Sequence, residues 1–217
     1  MTKVFVLNGW ASSKEAWSLC RFGRERVFSY VEQLDGLPEK VIAAEDDVVL
    51  VGWSMGGSSA LRLALKWPDK IRGLVLVAAT PRMMQDAQDG WRGMSERRLA
   101  ALKKGLLMTG GGGIFGPPEG KPNPYLVDDE ANLDRGLEYL VDTDLRRSLI
   151  ESSELRAKGN RVWIFQSEHD GVVRPENAAF LAEVFCGSKV EMVPGVEHAL
   201  PIFIPEKIDL AVREALS

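Results

Sequence analysis

The sequence predicts one α/β domain, with a mostly parallel sheet, helices on both of its faces and a small helical insertion. Three observations support this prediction. Short apolar runs alternate with helical patterns, and most runs are continuous, as expected of strands buried on both faces. The alternation stops at Arg82 and resumes after about Ser153. At 217 residues with 45% hydrophobic residues, the chain is long enough to bury one core of this kind.

The predicted strands are the apolar runs that end at turn residues, at 4–7, 27–30, 48–51, 73–79, 162–165 and 189–193. The predicted helices are at 13–19, 58–66, 175–185 and 205–216. The helix at 58–66 ends before Pro68, whose ring would break its hydrogen-bond ladder. Asp35-Gly36-Leu37-Pro38 is predicted to be a turn.

These elements divide the chain into a core domain, residues 1–81 and 154–217, and a helical lid insertion, residues 82–153. The glycine-rich centre of the insertion contains a G-x-G-x-x-G pattern at 111–116. This pattern follows no strand and leads into two prolines, so it fails the structural test for a dinucleotide site. We expect a lid loop there.

Composition narrows the class of protein. A net charge of -4 argues against a general nucleic-acid binder. No apolar run reaches the roughly 20 residues that span a bilayer, and the N-terminus lacks a signal-peptide pattern. The two cysteines form no disulfide framework and no metal-ligand spacing. We therefore expect a cytoplasmic protein with no nucleic-acid or membrane partner, no metal and no cofactor.

Gly52-Trp53-Ser54-Met55-Gly56 fits the pattern G-x-S-x-G, with a predicted strand before it and a helix after it. In this motif the serine occupies a sharp strand-to-helix turn, where side chains at the flanking positions would clash. The turn exposes the hydroxyl, and the helix N-terminus favours developing negative charge. Ser54 is the candidate nucleophile, and the alternative is a structural serine turn.

A nucleophilic serine needs a base, and the chain has only two histidines. His198 follows the strand at 189–193, and Asp170 follows the strand at 162–165. The chain order Ser, Asp, His is that of one convergent form of the catalytic triad. His198 is the predicted base and Asp170 its acidic partner. His169 and Glu168 remain the alternatives for these two roles.

Two backbone N–H groups are predicted to form the oxyanion hole. One belongs to Met55, directly after the nucleophile, and the other to Trp10, in the loop after the first strand. Gly9 allows close approach of that loop, and the Trp10 ring is free to pack at the same time. Trp53, beside the nucleophile, is predicted to line the site.

The chain resembles the α/β-hydrolase superfamily over nearly its whole length. Within it, the chain resembles the biotin-pathway carboxylesterases that demethylate pimeloyl-acyl-carrier-protein methyl ester. The stretches that carry the resemblance are Asn8-Gly9-Trp10, Gly52-Trp53-Ser54-Met55-Gly56-Gly57, Gly136-Leu137-Glu138-Tyr139-Leu140, Thr143-Asp144-Leu145-Arg146, Asp170-Gly171-Val172-Val173 and Glu197-His198-Ala199.

The resemblance implies the α/β-hydrolase fold, the triad of Ser54, Asp170 and His198, and Trp10 and Met55 at the oxyanion hole. This chain departs from the family's usual sequence in two ways, and both bear on the substrate more than on the reaction chemistry. Asn8 stands where the family usually has histidine, and the segment between Trp10 and Ser54 is shorter than usual.

The lid segment 91–107 carries a local excess of basic residues in an acidic chain. In the family that the chain resembles, basic lid residues meet the acidic surface of the acyl carrier protein. The candidate carrier-binding residues are Arg92, Arg97, Arg98 and Lys104. The alternative is a solvated helix face, neutralised within the chain by nearby acidic residues, namely Asp128, Asp129, Glu130 and Asp134.

The predicted function is therefore that of a serine carboxylesterase acting through an acyl-enzyme, on a small-molecule or carrier-linked ester. Pimeloyl-acyl-carrier-protein methyl ester, in biotin synthesis, is the specific substrate that the resemblance implies. Other esterases, thioesterases or C–C lyases on the same scaffold remain alternatives. So do a ligand-binding homologue without turnover and a degenerate structural homologue.

Overall fold

The computed structural model describes residues 1–22, 26–109, 120–126 and 128–217. Its sheet has six strands in the order β2-β1-β3-β4-β5-β6, and every neighbouring pair is parallel. The strands are β1 (Lys3–Leu7), β2 (Arg26–Phe28), β3 (Val48–Trp53), β4 (Ile71–Val77), β5 (Val162–Ser167) and β6 (Lys189–Val193). The predicted α/β class with a parallel sheet is confirmed.

Ten α-helices lie within the described residues. They are α1 (Tyr30–Leu34), α2 (Leu37–Ala43), α3 (Met55–Lys66), α4 (Glu96–Thr109), α5 (Glu130–Asp142), α6 (Arg146–Glu151), α7 (Ser153–Arg156), α8 (Glu176–Val184), α9 (Leu200–Phe203) and α10 (Pro205–Leu216). None of these helices is long and apolar enough to cross a membrane.

Four of the local predictions were wrong. The strand predicted at 27–30 ends at Phe28, and Tyr30 begins α1. The segment 35–38 is not only a turn, because Gly36 adopts φ 71° and α2 begins directly after it, with Pro38 in its first turn. Proline is compatible with that position since the first helical N–H groups have no intrahelical partner. Helix α3 begins at Met55, three residues earlier than predicted. The helix predicted at 13–19 is a single 3-10 turn, Lys14–Trp17.

The core consists of two apolar clusters, one on each face of the sheet. Val49 and Val51 of β3 lie in the cluster beneath α10, whereas Leu50 lies in the cluster beneath α3 and α8. Successive side chains of a strand point to opposite faces, so a strand covered on both faces needs apolar residues throughout. This explains the uninterrupted apolar run that precedes Ser54.

The described part of 82–153 contains helices and isolated bridges but no strand. Leu99 of α4 and Leu133 of α5 pack with Trp10 and Met55 in a third apolar cluster above the carboxyl ends of the strands. Leu149 of α6 packs instead with the sheet. We propose residues 82–153 as the lid insertion, with α6 at its junction with the core. The glycine pattern at 111–116 lies outside the described residues.

Ion pairs join the two ends of this insertion. Arg82 pairs with Asp144, and their backbones form an antiparallel bridge. Arg146 pairs with Asp144 at 2.8 Å and with Asp89 at 2.6 Å, and its guanidinium lies 5.0 Å from the centre of the Trp91 ring. Hydrogen bonds from Arg146 and Arg82 hold the pKa of Asp144 well below its usual range. We name this group of ion pairs the insertion clamp.

Candidate active site

Ser54 occupies the turn between β3 and α3 in a strained conformation, with φ 56° and ψ -120°. Such conformations cost roughly 1–3 kcal/mol in a residue that has a side chain, and they cluster at functional sites. Glycines make the turn sterically feasible. A Cβ on Gly56 would lie 2.0 Å from the carbonyl oxygen of Leu7, and one on Gly52 would lie 2.4 Å from that of Gly56. The close approach of strand and helix therefore requires both glycines.

Asp170 and His198 meet beneath the surface. His198 Nδ1 lies 2.8 Å from Asp170 Oδ2, and the two side chains are 5% and 0% exposed. Oδ1 of the same carboxylate accepts the backbone N–H groups of Val172 and Val173, each at 2.8 Å. An ionised carboxylate only accepts hydrogen bonds, so this contact favours the neutral tautomer of His198 that carries its proton on Nδ1. That tautomer is the one a general base needs.

The two alternatives for these roles lie elsewhere. Glu168 and His169 precede Asp170 directly, but both are exposed to solvent. The backbone N–H of His169 donates to Ser167 Oγ at 3.2 Å. The structure therefore brings Asp170, and not Glu168, to His198.

The loop after β1 lies against Ser54. A Cβ on Gly9 would approach the Cβ of Ser54 to 3.3 Å, which places the backbone of Trp10 next to the serine turn. The Trp10 indole N–H donates to the Leu133 carbonyl at 3.0 Å, so the ring is used for packing against α5. Met55 provides the first N–H of α3, where a helix leaves its N–H groups without intrahelical partners.

Asn8, which stands where the resembling family has histidine, is fully buried. Its Oδ1 accepts the Trp17 indole N–H at 2.5 Å, and its backbone carbonyl accepts Gln33 Nε2 at 2.9 Å. These bonds hold the loop that carries Gly9 and Trp10. Trp17 and Gln33 carry no sequence signal for this role, because neither belongs to a local motif with the loop.

Trp53 lies behind His198. Its indole N–H donates to the His198 carbonyl at 3.0 Å, and the two rings are 5.6 Å apart. The side chain is 1% exposed and belongs to the apolar cluster beneath α10. Trp53 thus supports the histidine from the core side, and its contact with substrate stays a prediction.

Ser54 and His198 line the same pocket, which contains about 410 Å³ of space including its open mouth. Apart from Trp10, the other described lining residues are Met83, Leu99, Leu102, Leu106, Tyr125, Leu140 and Val172. Most are apolar and come from the proposed lid. Burial, together with the nearby carboxylates of Asp170 and Glu197, raises the pKa of Tyr125, so its phenol stays protonated. Leu140 and Val172 belong to stretches that carry the family resemblance.

Gly136 of α5 touches the Trp10 ring, and a Cβ there would lie 2.3 Å from Trp10 Cδ1. We expect Gly136→Val to displace Trp10, to destabilise the fold by roughly 1–3 kcal/mol through overpacking, and to reduce turnover. Urea unfolding and ester hydrolysis measure the two effects. Glu138→Val, at an exposed position of the same helix, is the matched control. Equal behaviour of both variants would contradict the role of this contact.

The candidate carrier-binding residues differ in their surroundings. Arg92 pairs with Glu176 at 3.6 Å at an exposed position, and Arg98 donates to the Gly171 carbonyl at 2.7 Å. Arg97 and Lys104 are exposed, and no ion pair is found for either with another described residue. Arg97 and Lys104 are therefore the basic side chains of this group that remain available to a partner.

Of the four acidic residues that the alternative interpretation assigned to neutralising this face, two form ion pairs with a basic residue of it. Lys103 pairs with Glu130 at 2.8 Å and with Asp134 at 2.6 Å. Asp128 instead accepts a hydrogen bond from the Tyr30 hydroxyl, and Asp129 caps α5.

Among the described residues, no group of three His, Cys, Asp or Glu side chains is arranged to hold a metal ion.

Comparisons with known proteins agree with this architecture. A protein from Nitrosospira multiformis, a pimeloyl-[acyl-carrier protein] methyl ester esterase, is 26% identical over an alignment that covers 94% of this chain and 90% of the relative. A hydrolase from Oleispira antarctica superposes with a TM-score of 0.71 and 16% identity, over 100% of this chain and 92% of that one. A hydrolase from Pseudomonas aeruginosa PA01 superposes with a TM-score of 0.70 and 18% identity, over 100% of this chain and 90% of that one.

The sequence model of the alpha/beta hydrolase family matches residues 15–208, which is most of the chain. The match includes the serine turn and both loops that carry Asp170 and His198. The structural neighbours support the same fold, in which a parallel sheet presents these loops at the carboxyl ends of its strands. The chain belongs to the alpha/beta hydrolase family.

Proposed function

We propose that this protein is a serine carboxylesterase whose triad is Ser54, His198 and Asp170. One observation carries the proposal: a strained serine shares a pocket with a histidine whose Nδ1 lies 2.8 Å from a buried carboxylate. The methyl ester esterase named above, similar over 94% of the chain, supports an ester as the substrate.

Each of these residues has a separate role in the reaction. His198 Nε2 accepts the proton of Ser54 Oγ as that oxygen attacks the ester carbonyl, and Asp170 stabilises the imidazolium that forms. The backbone N–H groups of Met55 and Trp10 stabilise the oxyanion of the tetrahedral intermediate. His198 then protonates the leaving alcohol. A water molecule, activated by the same imidazole, hydrolyses the acyl-enzyme and releases the acid.

The specific substrate that we propose is pimeloyl-acyl-carrier-protein methyl ester, which would place the enzyme in biotin synthesis. The apolar lining of the pocket suits an alkyl chain, and the exposed Arg97 and Lys104 suit an acidic carrier protein. The test compares methyl pimeloyl-carrier protein with free methyl esters of short acids. Preferential demethylation of the carrier-linked ester is expected. Hydrolysis of the free esters alone would leave an esterase but overturn the carrier as partner.

We expect the double variant Arg97→Glu/Lys104→Glu to raise KM for the carrier-linked ester about tenfold, which corresponds to ~1.4 kcal/mol of binding. The KM for a free methyl ester should stay unchanged, because neither side chain lines the described pocket. Steady-state kinetics with both substrates measure this. Lys40→Glu, on the exposed side of α2, is the control for a general effect of charge. An equal rise of KM for both substrates would contradict carrier docking at this surface.

A further inference from the structure

We propose that Gln166 is a positioning residue that orients the Asp170 carboxylate and, through it, His198. Gln166 is the penultimate residue of β5 and is 1% exposed. The assignment rests on the triad proposed above. Its test, however, uses contacts that can be measured without turnover.

The amide group of Gln166 is surrounded by oxygen acceptors. Nε2 lies 2.9 Å from the Val173 carbonyl oxygen, 3.2 Å from Asp170 Oδ2 and 3.3 Å from the Ser167 carbonyl oxygen. The two protons of Nε2 are shared among these three acceptors. These contacts link the end of β5 to the turn that contains Asp170.

This environment requires a neutral donor. Rotating the amide by 180° would place Oε1 against three acceptor oxygens, so the nitrogen must face them. A glutamate would place a second negative charge beside Asp170. A methionine of similar length fits the buried space but donates no hydrogen bond. Glutamine is thus the residue whose shape and donor capacity both match this position.

The carboxylate is held mainly by groups other than the histidine. Oδ1 accepts two backbone N–H groups, from Val172 and Val173, and Oδ2 accepts Gln166 Nε2 as well as His198 Nδ1. Gln166 is the only side chain other than His198 found to donate to this carboxylate among the described residues. With Gln166 in place, the torsion of the carboxylate is defined before His198 bonds to it.

Catalysis depends on this orientation because the imidazole ring follows the carboxylate to which it is bonded. Partners that orient a catalytic group contribute through geometry, and a displacement of about 1 Å can cost roughly 10²-fold in rate. We therefore expect Gln166→Met to lower kcat by roughly tenfold to a hundredfold with KM unchanged, since Gln166 does not line the described pocket.

The decisive measurement is the NMR resonance of the His198 Nδ1 proton. The chain has only two histidines, and His169 is exposed, so the ring resonances of His169 serve as an internal reference. In Gln166→Met, the low-field His198 proton should be displaced while the His169 resonances stay in place. An unchanged His198 resonance would overturn the inference.

Two further variants separate this role from general stability. Leu181→Ala creates a cavity in the cluster beneath α3 and α8, and it should lower stability without moving the His198 resonance. Gln166→Glu should impair turnover more than Gln166→Met does, because it adds a like charge next to Asp170. Methionine activity equal to that of wild type would overturn the proposal. If Ser54→Ala retained turnover, the proposed function would fail, whereas the NMR result would still decide the role of Gln166.

Discussion

Replacing Ser54 with alanine should lower kcat for a p-nitrophenyl ester by roughly a million-fold. The hydroxyl is the proposed nucleophile. Without it, the only rate enhancement that remains comes from the oxyanion hole and from binding of the ester in the pocket. The fold should survive, since alanine removes one oxygen from a turn whose shape is set by Gly52 and Gly56. Circular dichroism and a thermal melt check that point.

The matched control is Ser58→Ala, four residues further along the chain, in α3. Ser58 Oγ donates to the Thr80 carbonyl at 2.6 Å and is 1% exposed. Its loss should cost stability, roughly 1 kcal/mol, with little effect on turnover. A fluorophosphonate should label the wild type at Ser54 and leave Ser54→Ala unlabelled. Retained turnover in Ser54→Ala would overturn the assignment, and a single burst of product from the wild type would indicate a binding protein instead of an enzyme.

Asp170→Asn should lower kcat by roughly 10⁴-fold. The asparagine amide would donate to His198 Nδ1, and the proton would then move to Nε2. The imidazole would lose the lone pair with which it accepts the Ser54 proton, and no negative charge would stabilise the imidazolium. The backbone N–H groups of Val172 and Val173 can still bond to the asparagine oxygen, so the turn should keep these two hydrogen bonds while the one from Gln166 to Oδ2 is lost.

Glu168→Gln is the control for this second prediction, because Glu168 is a neighbouring carboxylate that is exposed. Its turnover should match that of the wild type. A large loss in Glu168→Gln together with a mild loss in Asp170→Asn would transfer the acidic role to Glu168. Measurements over a range of pH separate a change in protonation from a change in binding.

Several features of fold and site follow from local patterns. The uninterrupted apolar runs at 48–51 and 162–165 predict strands covered on both faces, and the structure places both in the interior of a parallel sheet. The scarcity of histidines makes His198 a strong candidate from the sequence alone. Its Nδ1 then lies 2.8 Å from Asp170 Oδ2, a proximity that the chain order suggests but does not require.

Other features depend on tertiary contacts that leave no local signal. The bond between Trp17 and Asn8 joins residues nine positions apart through a turn whose shape the sequence pattern does not define. In the sequence, Gln166 is an ordinary polar residue near the end of a strand. Its contacts with Asp170 and Val173 exist only in the folded structure, where the following turn packs over the end of the strand. Similarly, Trp53 adjoins Ser54 in sequence, but the strand directs its ring into the core. Packing, not proximity along the chain, decides these roles.

The insertion clamp has a consequence for how the protein can diverge. Ion pairs among Arg82, Asp144 and Arg146 hold the two ends of the insertion together. The junction between the insertion and the core is therefore the same whatever sequence lies between these residues. The entropy of closing a loop grows only slowly with its length. Segments of the insertion that make no contact with Trp10 or Met55 can therefore be lost, gained or exchanged at small cost to the sheet and the serine turn. The lining of the pocket can then change while Ser54, Asp170 and His198 keep their positions in the core.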